Sequence, residues 1–359
     1  MGRPLQRLLE QPEIKMKYSF KNDYSEGAHP RILEALSTSN FEQQNGYCDD
    51  EYSIEAKDCI RKKIMNSEAG VFFLSGGTQA NLIAIAAMLR PFESVIAATT
   101  GHINVHETGA IEATGHKINT IVSSDGKITA SAVEAIVNEH KDDPPHMVQP
   151  RMVYISNSTE IGTIYQKLEL EALSAVCKAN NLYLYMDGAR LGSAMTAATN
   201  DISLPELSAL LDAFYIGGTK NGGLIGEAIV INNPKFIADF PYHLKQRGAL
   251  LGKGRIYGIQ FREFFKDNLY FELANHANKM AQKLTDGINK AGYSFLTDSP
   301  TNQIFPILPI QIIEELSKNY EFYVWKKIDG NTSAIRLVTS WATKEEAVDR
   351  FIGDLSLYL

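Results

Sequence analysis

The chain has 359 residues, 44% of them apolar and 21% charged, and a net charge of −7. That composition fits a folded protein with a sizeable core, long enough for a large domain and a smaller one, and its acidic balance excludes the basic face of a nucleic-acid binder. Cys48, Cys59 and Cys177, few and without CxxC spacing, argue against a disulfide scaffold; with no leader-like or membrane-length apolar run, they predict a cytoplasmic protein.

Residues 1–19 are expected to form a peripheral arm. Pro30 stands where it can start a helix over 31–39, and a polar loop leads to a second helix over 52–65. From Val71 the rhythm becomes strand, glycine turn, helix: a strand at 71–74, the turn Ser75-Gly76-Gly77, and an alanine-rich helix over 78–89. Strands then follow at 95–98, 117–122, 152–156, 182–186, 213–218 and 228–231, with helices over 103–108, 131–140 and 168–180. Alternating strands and helices on short links predict an α/β fold with a mainly parallel sheet covered by helices. Residues 234–291 read as a helical bridge. Strands at 303–308, 322–325 and 334–338, with helices at 310–318 and from 344, predict a small C-terminal α+β domain. The expected division is an arm over 1–19, a large domain over 20–250, and a bridge with small domain over 251–359.

Two apolar runs bounded by small residues each end in one charged group. The first delivers Asp187 and the second Lys220. In an open α/β sheet the carboxyl ends of the strands face the ligand crevice, so an acid and an amine are expected at one edge. A carboxylate for a ring nitrogen and a lysine that forms a Schiff base are the protein groups that pyridoxal phosphate chemistry requires. Arg190, three residues after Asp187, is in reach of the ring hydroxyl or an adjacent carboxylate; a plain surface ion pair with Asp187 at a turn is the alternative. Lys220 lies among five glycines between 217 and 226, which leave space for a planar group. An exposed loop lysine is the competing reading.

Gly76, Gly77 and Thr78 open a helix after a strand, where free N–H groups and the helix dipole favour an anion such as phosphate. A Thr-led helix cap would read the same, so the motif alone leaves both open. It lacks the Walker lysine and GxGxxG spacing. His102 follows the next strand, where a flat imidazole suits stacking on the ring. His106, one turn on, would pair with it as a metal ligand, but no third ligand is apparent and no metal is expected; His106 reads as structural. Arg336, inside the apolar segment AIRLVTSW, is expected to bind the substrate carboxylate. An internal salt bridge to a glutamate is the alternative.

With these residues in hand, the chain resembles the low-specificity threonine aldolases among the fold-type-I pyridoxal phosphate enzymes. SGGTQANL, GHINVHETGA, YMDGARLG, GGTKNGGLIGEA and IRLVTSW carry the resemblance in order, over nearly the whole chain from Phe20. It implies that Lys220 binds the cofactor covalently, His102 stacks on its ring, Asp187 and Arg190 hold the ring, and Gly77 and Thr78 bind the phosphate. It also implies Arg336 on the carboxylate and a homodimer or homotetramer with shared sites, which Lys245 or Arg247 would enter from a neighbour. The implied reaction cleaves L-threonine or L-allo-threonine to glycine and acetaldehyde. Two positions depart from the family pattern: its Asn-Thr-His stretch is Asn157-Ser158-Thr159 here, followed by Glu160, and its Ser-Asp is Asn22-Asp23. Asn22 and Thr159 are expected on the substrate side, and the base for the substrate hydroxyl is left among His102, Glu160 and water. A β-eliminating lyase or racemase on the same cofactor is the rival enzyme, and an oligomeric binding module with no catalysis the rival of another class.

Overall fold

A computed structural model describes residues 17–358. The expected arm lies mostly outside them, and its last part is not peripheral: Tyr18–Ser19 pairs in parallel with Tyr320–Glu321 of the small domain. Phe20, taken as the start of the large domain, is fully buried in the small-domain core beside Tyr320 and Phe351.

The central sheet has seven strands in the order Gly70–Leu74, Glu227–Ile231, Ala213–Gly217, Tyr183–Asp187, Gln149–Ser156, Glu93–Ala98, Ile118–Ile121. Glu227–Ile231 runs antiparallel to both neighbours, and the remaining pairings are parallel. The strands Tyr183–Asp187, Ala213–Gly217 and Glu227–Ile231 are buried at every position. Such strands need apolar side chains on both faces, which is why they read as unbroken apolar runs rather than alternating ones. One face is covered by the helices Glu51–Ile64, Lys167–Ala179, Leu204–Leu210 and Arg255–Lys266, the other by Gly77–Met88 and Phe240–Gln246. Asp50 caps Glu51–Ile64 by accepting the Ser53 N–H at 2.8 Å, and Ser203 with Glu206 forms a capping box on Leu204–Leu210, a helix not foreseen from the sequence. Arg255–Lys266 crosses Glu51–Ile64 so closely that a Cβ on Gly258 would lie 2.4 Å from Ser53 Oγ. Packing therefore joins this helix to the large domain, whereas the sequence reading had put it beyond the division at 250.

The long helix Leu269–Lys290 leads to the small domain, where Thr332–Val338 is flanked by Ile307–Pro309 and Tyr323–Lys327 and also pairs with Gln303–Ile304. The single strand expected at 303–308 is thus two pieces. They are separated at Phe305-Pro306, where proline has no N–H to give the ladder. Glu345–Ser356 covers this sheet through Val348, Phe351 and Leu355. No helix among the described residues is long and apolar enough to cross a membrane.

Candidate active site

Adjacent parallel strands bring Asp187 and the loop carrying Lys220 to the same sheet edge. The turn after Asp187 is held tightly against the next strand: a Cβ on Gly188 would lie 1.9 Å from the Tyr215 carbonyl oxygen, so only glycine fits there. Asp187 is 4% exposed. Its Oδ1 accepts hydrogen bonds from Tyr215 Oη at 2.5 Å and the Ala189 N–H at 3.0 Å. Its Oδ2 accepts from Tyr154 Oη at 2.7 Å and Asn81 Nδ2 at 3.0 Å. Burial alone would push this carboxyl up; the charge of His102 and the bonds from Tyr215 and Asn81 outweigh it and hold the group below its ordinary range.

Asn81 Nδ2 also donates to Glu107 Oε1 at 2.7 Å, and His102 Nδ1 lies 2.7 Å from that same oxygen. His102, Glu107 and Asp187 bring three possible metal-donor atoms within 4.8 Å of one another. The bonds from Asn81 and the two tyrosines already satisfy much of this cluster, and it reads as a network that aims His102 and Asp187. His106 sits beside His102, ring centroids 5.5 Å apart, on the wall of the main cavity rather than in a structural position.

That cavity, of about 460 Å³, is lined by Lys220, His102, Glu160, Arg190, Gln303 and Arg336, with Tyr323 and Trp325 at the small-domain side. Burial depresses the Lys220 amine below its ordinary value, and the Arg190 guanidinium adds to this, while Asp23, Asp187 and Glu227 oppose it. Arg190 is held by Asp23 in a two-pronged pair, Nε to Oδ2 at 2.6 Å and Nη2 to Oδ1 at 3.0 Å. Asn302 Nδ2 adds a third donor to Asp23 at 2.9 Å. Arg336 makes no salt bridge among the described residues; it donates to the Lys21 carbonyl oxygen at 3.2 Å and stacks 5.1 Å from Tyr323 and 5.2 Å from Trp325. Its Nε is buried without a partner, as is Gln303 Oε1.

Gly76, Gly77 and Thr78 form the first turn of the helix Gly77–Met88, on the same edge. A Cβ built on Gly76 would meet nothing within 4 Å, whereas one on Gly77 would come within 2.7 Å of Tyr215 Oη. Two expectations are not met. Thr159 is fully buried with Oγ1 2.7 Å from Thr163 Oγ1, away from the cavity wall. Asn22 turns its Oδ1 back to the Tyr24 N–H and the Ser25 hydroxyl, and the next residue, Asp23, is the one that reaches the site. The sequence reading also passed over Asn81, Glu107, Tyr154 and Tyr215. For Asn81, Tyr154 and Tyr215 the only signal was a polar group inside an apolar helix or strand, and Glu107 lies in the bend after His102–Val105.

A Schiff-base-competent amine and a buried carboxylate at the carboxyl edge of this sheet define a class: the chain belongs to the beta-eliminating lyase family, which it matches over residues 24–310. Membership implies pyridoxal phosphate as cofactor and a lyase activity. The architecture is that of fold-type-I pyridoxal phosphate enzymes, as in aspartate aminotransferase of Thermus thermophilus (TM-score 0.68, 13% identity, 100% of each chain). Nearer relatives are threonine aldolases. The chain is 33% identical to the low specificity L-threonine aldolase of Pseudomonas aeruginosa over 346 residues, 95% of this chain and 97% of that one. It superposes on the threonine aldolase of Leishmania major with a TM-score of 0.93 and 47% identity, covering 95% and 99% of the two chains.

Proposed function

We propose that this protein is a pyridoxal phosphate-dependent aldolase that cleaves L-threonine or L-allo-threonine to glycine and acetaldehyde. The observation that carries the substrate is the similarity to threonine aldolases across almost the entire chain.

The residues present fit the cofactor. The free space over Gly76 and the unpaired first-turn N–H groups of a twelve-residue helix suit the phosphate, with Gly77 and Thr78 beside it. Asp187, pinned by four donors and held ionised, suits a protonated ring nitrogen, and His102 suits the ring face. Arg190, oriented by Asp23, suits the ring hydroxyl. Lys220 is the covalent attachment, its amine biased towards the neutral, nucleophilic form by desolvation. When bound, the cofactor supplies an electron sink for the bond broken at Cα.

Arg336, without a carboxylate partner among the described residues and stacked against two aromatic rings, grips the substrate carboxylate and orients the Cα–Cβ bond. Lys220, released by substrate, is positioned to carry the proton that Cα gains. A dimer or tetramer with sites shared through Lys245 or Arg247 remains part of this reading, as does a reducing, cytoplasmic setting suited to three free thiols.

The test is to incubate purified protein and cofactor with both threonine diastereomers and assay acetaldehyde and glycine. Formation of both from either diastereomer, with loss of the yellow chromophore and of activity in Lys220→Ala, is expected. 2-Oxobutyrate with ammonia would mean β-elimination, and inverted substrate alone a racemase. A chromophore-free protein would favour a binding module.

A further inference from the structure

We propose that Glu160 takes the proton from the β-hydroxyl of the substrate. The proposal rests on the retro-aldol reading above and goes beyond it by choosing among the groups on the cavity wall.

The turn after the strand Gln149–Ser156 splits two neighbours. Thr159 faces inward to Thr163, so its hydroxyl is spent. Glu160 lines the cavity together with Lys220, His102 and Arg336. Its Oε1 accepts from Ser156 Oγ at 2.6 Å and from the His102 backbone N–H at 2.8 Å. Two donors on one oxygen fix the carboxylate plane and leave Oε2 for a ligand. The other polar groups nearby are less suited. His102 Nδ1 is tied to Glu107, and the ring is the stacking group. His106 is exposed at the rim. Gln303 also lines the cavity, and its amide, whose buried oxygen has no partner among the described residues, can orient a hydroxyl but is too weak a base to take its proton. Burial raises the Glu160 carboxyl above its ordinary value, partly offset by Ser156, which brings its basicity nearer that of an effective general base at neutral pH.

The step balances as follows. The β-O–H proton passes to Glu160 Oε2, the O–H electron pair becomes the second C–O bond of the aldehyde, and the Cα–Cβ bond breaks. Its pair stays with Cα, which then gains a proton to give glycine. Glu160 returns its proton to solvent on product release.

The test compares parental holoenzyme with Glu160→Gln in three measurements: kcat for threonine cleavage, exchange of the glycine α-proton with heavy water, and binding of 2-aminobutyrate, which is threonine without its hydroxyl, followed by the cofactor spectrum. Glycine exchange needs Lys220 and the cofactor but no hydroxyl base. The expected result is a fall in kcat of about 10²–10⁴-fold, with glycine exchange and 2-aminobutyrate binding within about threefold of parental. Glu160→Asp, which keeps the carboxylate, is expected to recover part of the loss. Unchanged cleavage in Glu160→Gln would overturn the proposal. So would an equal fall in cleavage, exchange and binding, since a supporting role for the loop would then suffice. A parental enzyme that exchanges glycine but does not cleave threonine would instead overturn the aldolase reading on which the proposal rests.

Discussion

Replacing Asp23 by Ala strips the Arg190 guanidinium of both hydrogen bonds to its carboxylate partner. The pair is 1% and 14% exposed, so little water is available to take the carboxylate's place. Removing one partner of a buried pair costs about 3–5 kcal/mol, because the remaining charge is left uncompensated. A loss of that size is expected in urea titrations of Asp23→Ala at neutral pH, with the slope unchanged. Adding Arg190→Met should recover part of it, since an apolar side chain tolerates the site better than an orphaned charge. The pH dependence has a definite sign. Although burial opposes it, the Arg190 charge depresses the Asp23 carboxyl below its ordinary 3.8, so the stabilisation is complete above that value and is lost as pH falls through the lowered one. The gap between parental protein and variant should therefore close only in strong acid. A second readout lies at Lys220, where Arg190 lowers the amine's basicity and Asp23 raises it. Removal of Asp23 should move the pH midpoint of the cofactor-linked chromophore downward. A stability loss under about 1 kcal/mol, the range of exposed pairs, would refute the reasoning.

Asp187→Asn replaces an acceptor of four hydrogen bonds by a group that must offer hydrogens to some of the same donors; calorimetry or urea should show a loss of about 1–3 kcal/mol in the cofactor-free protein. Gly76→Ala has room and needs no unusual backbone, so its stability should stay within about 0.5 kcal/mol of parental while cofactor affinity, measured by fluorescence titration, falls at least about tenfold. Glu227 is buried and pushed up to about 7, partly offset by the Gly218 N–H. A carboxyl raised in the folded state stabilises below its unfolded value and loses that contribution as pH rises through the folded one. Stability should thus decline between about pH 4.5 and 7, by up to about 3 kcal/mol, and Glu227→Gln should flatten that slope.

Local order in the sequence made the sheet and its two charged strand ends legible. Strands buried on both faces need long apolar runs, and the single acid or amine that ends each run stands out against them. The partners of those groups were not legible. Asp23 lies 167 residues from Arg190, and only the folded chain brings them together. Tyr154 and Tyr215 read as core residues, because an aromatic ring in a buried strand says nothing of where its hydroxyl points. Thr159 and Glu160 differ by one position in a turn, and backbone direction there decides which side chain meets the cavity.

The segment from Tyr18 to Asp23 begins as a strand on the small domain, buries Phe20 in that domain's core, and ends with a carboxylate on Arg190 of the large one. Phe20 anchors this tether, while Asn302 at the small-domain edge clasps its far end. One six-residue run therefore ties the core of the small domain to the guanidinium beside the amine of the large one.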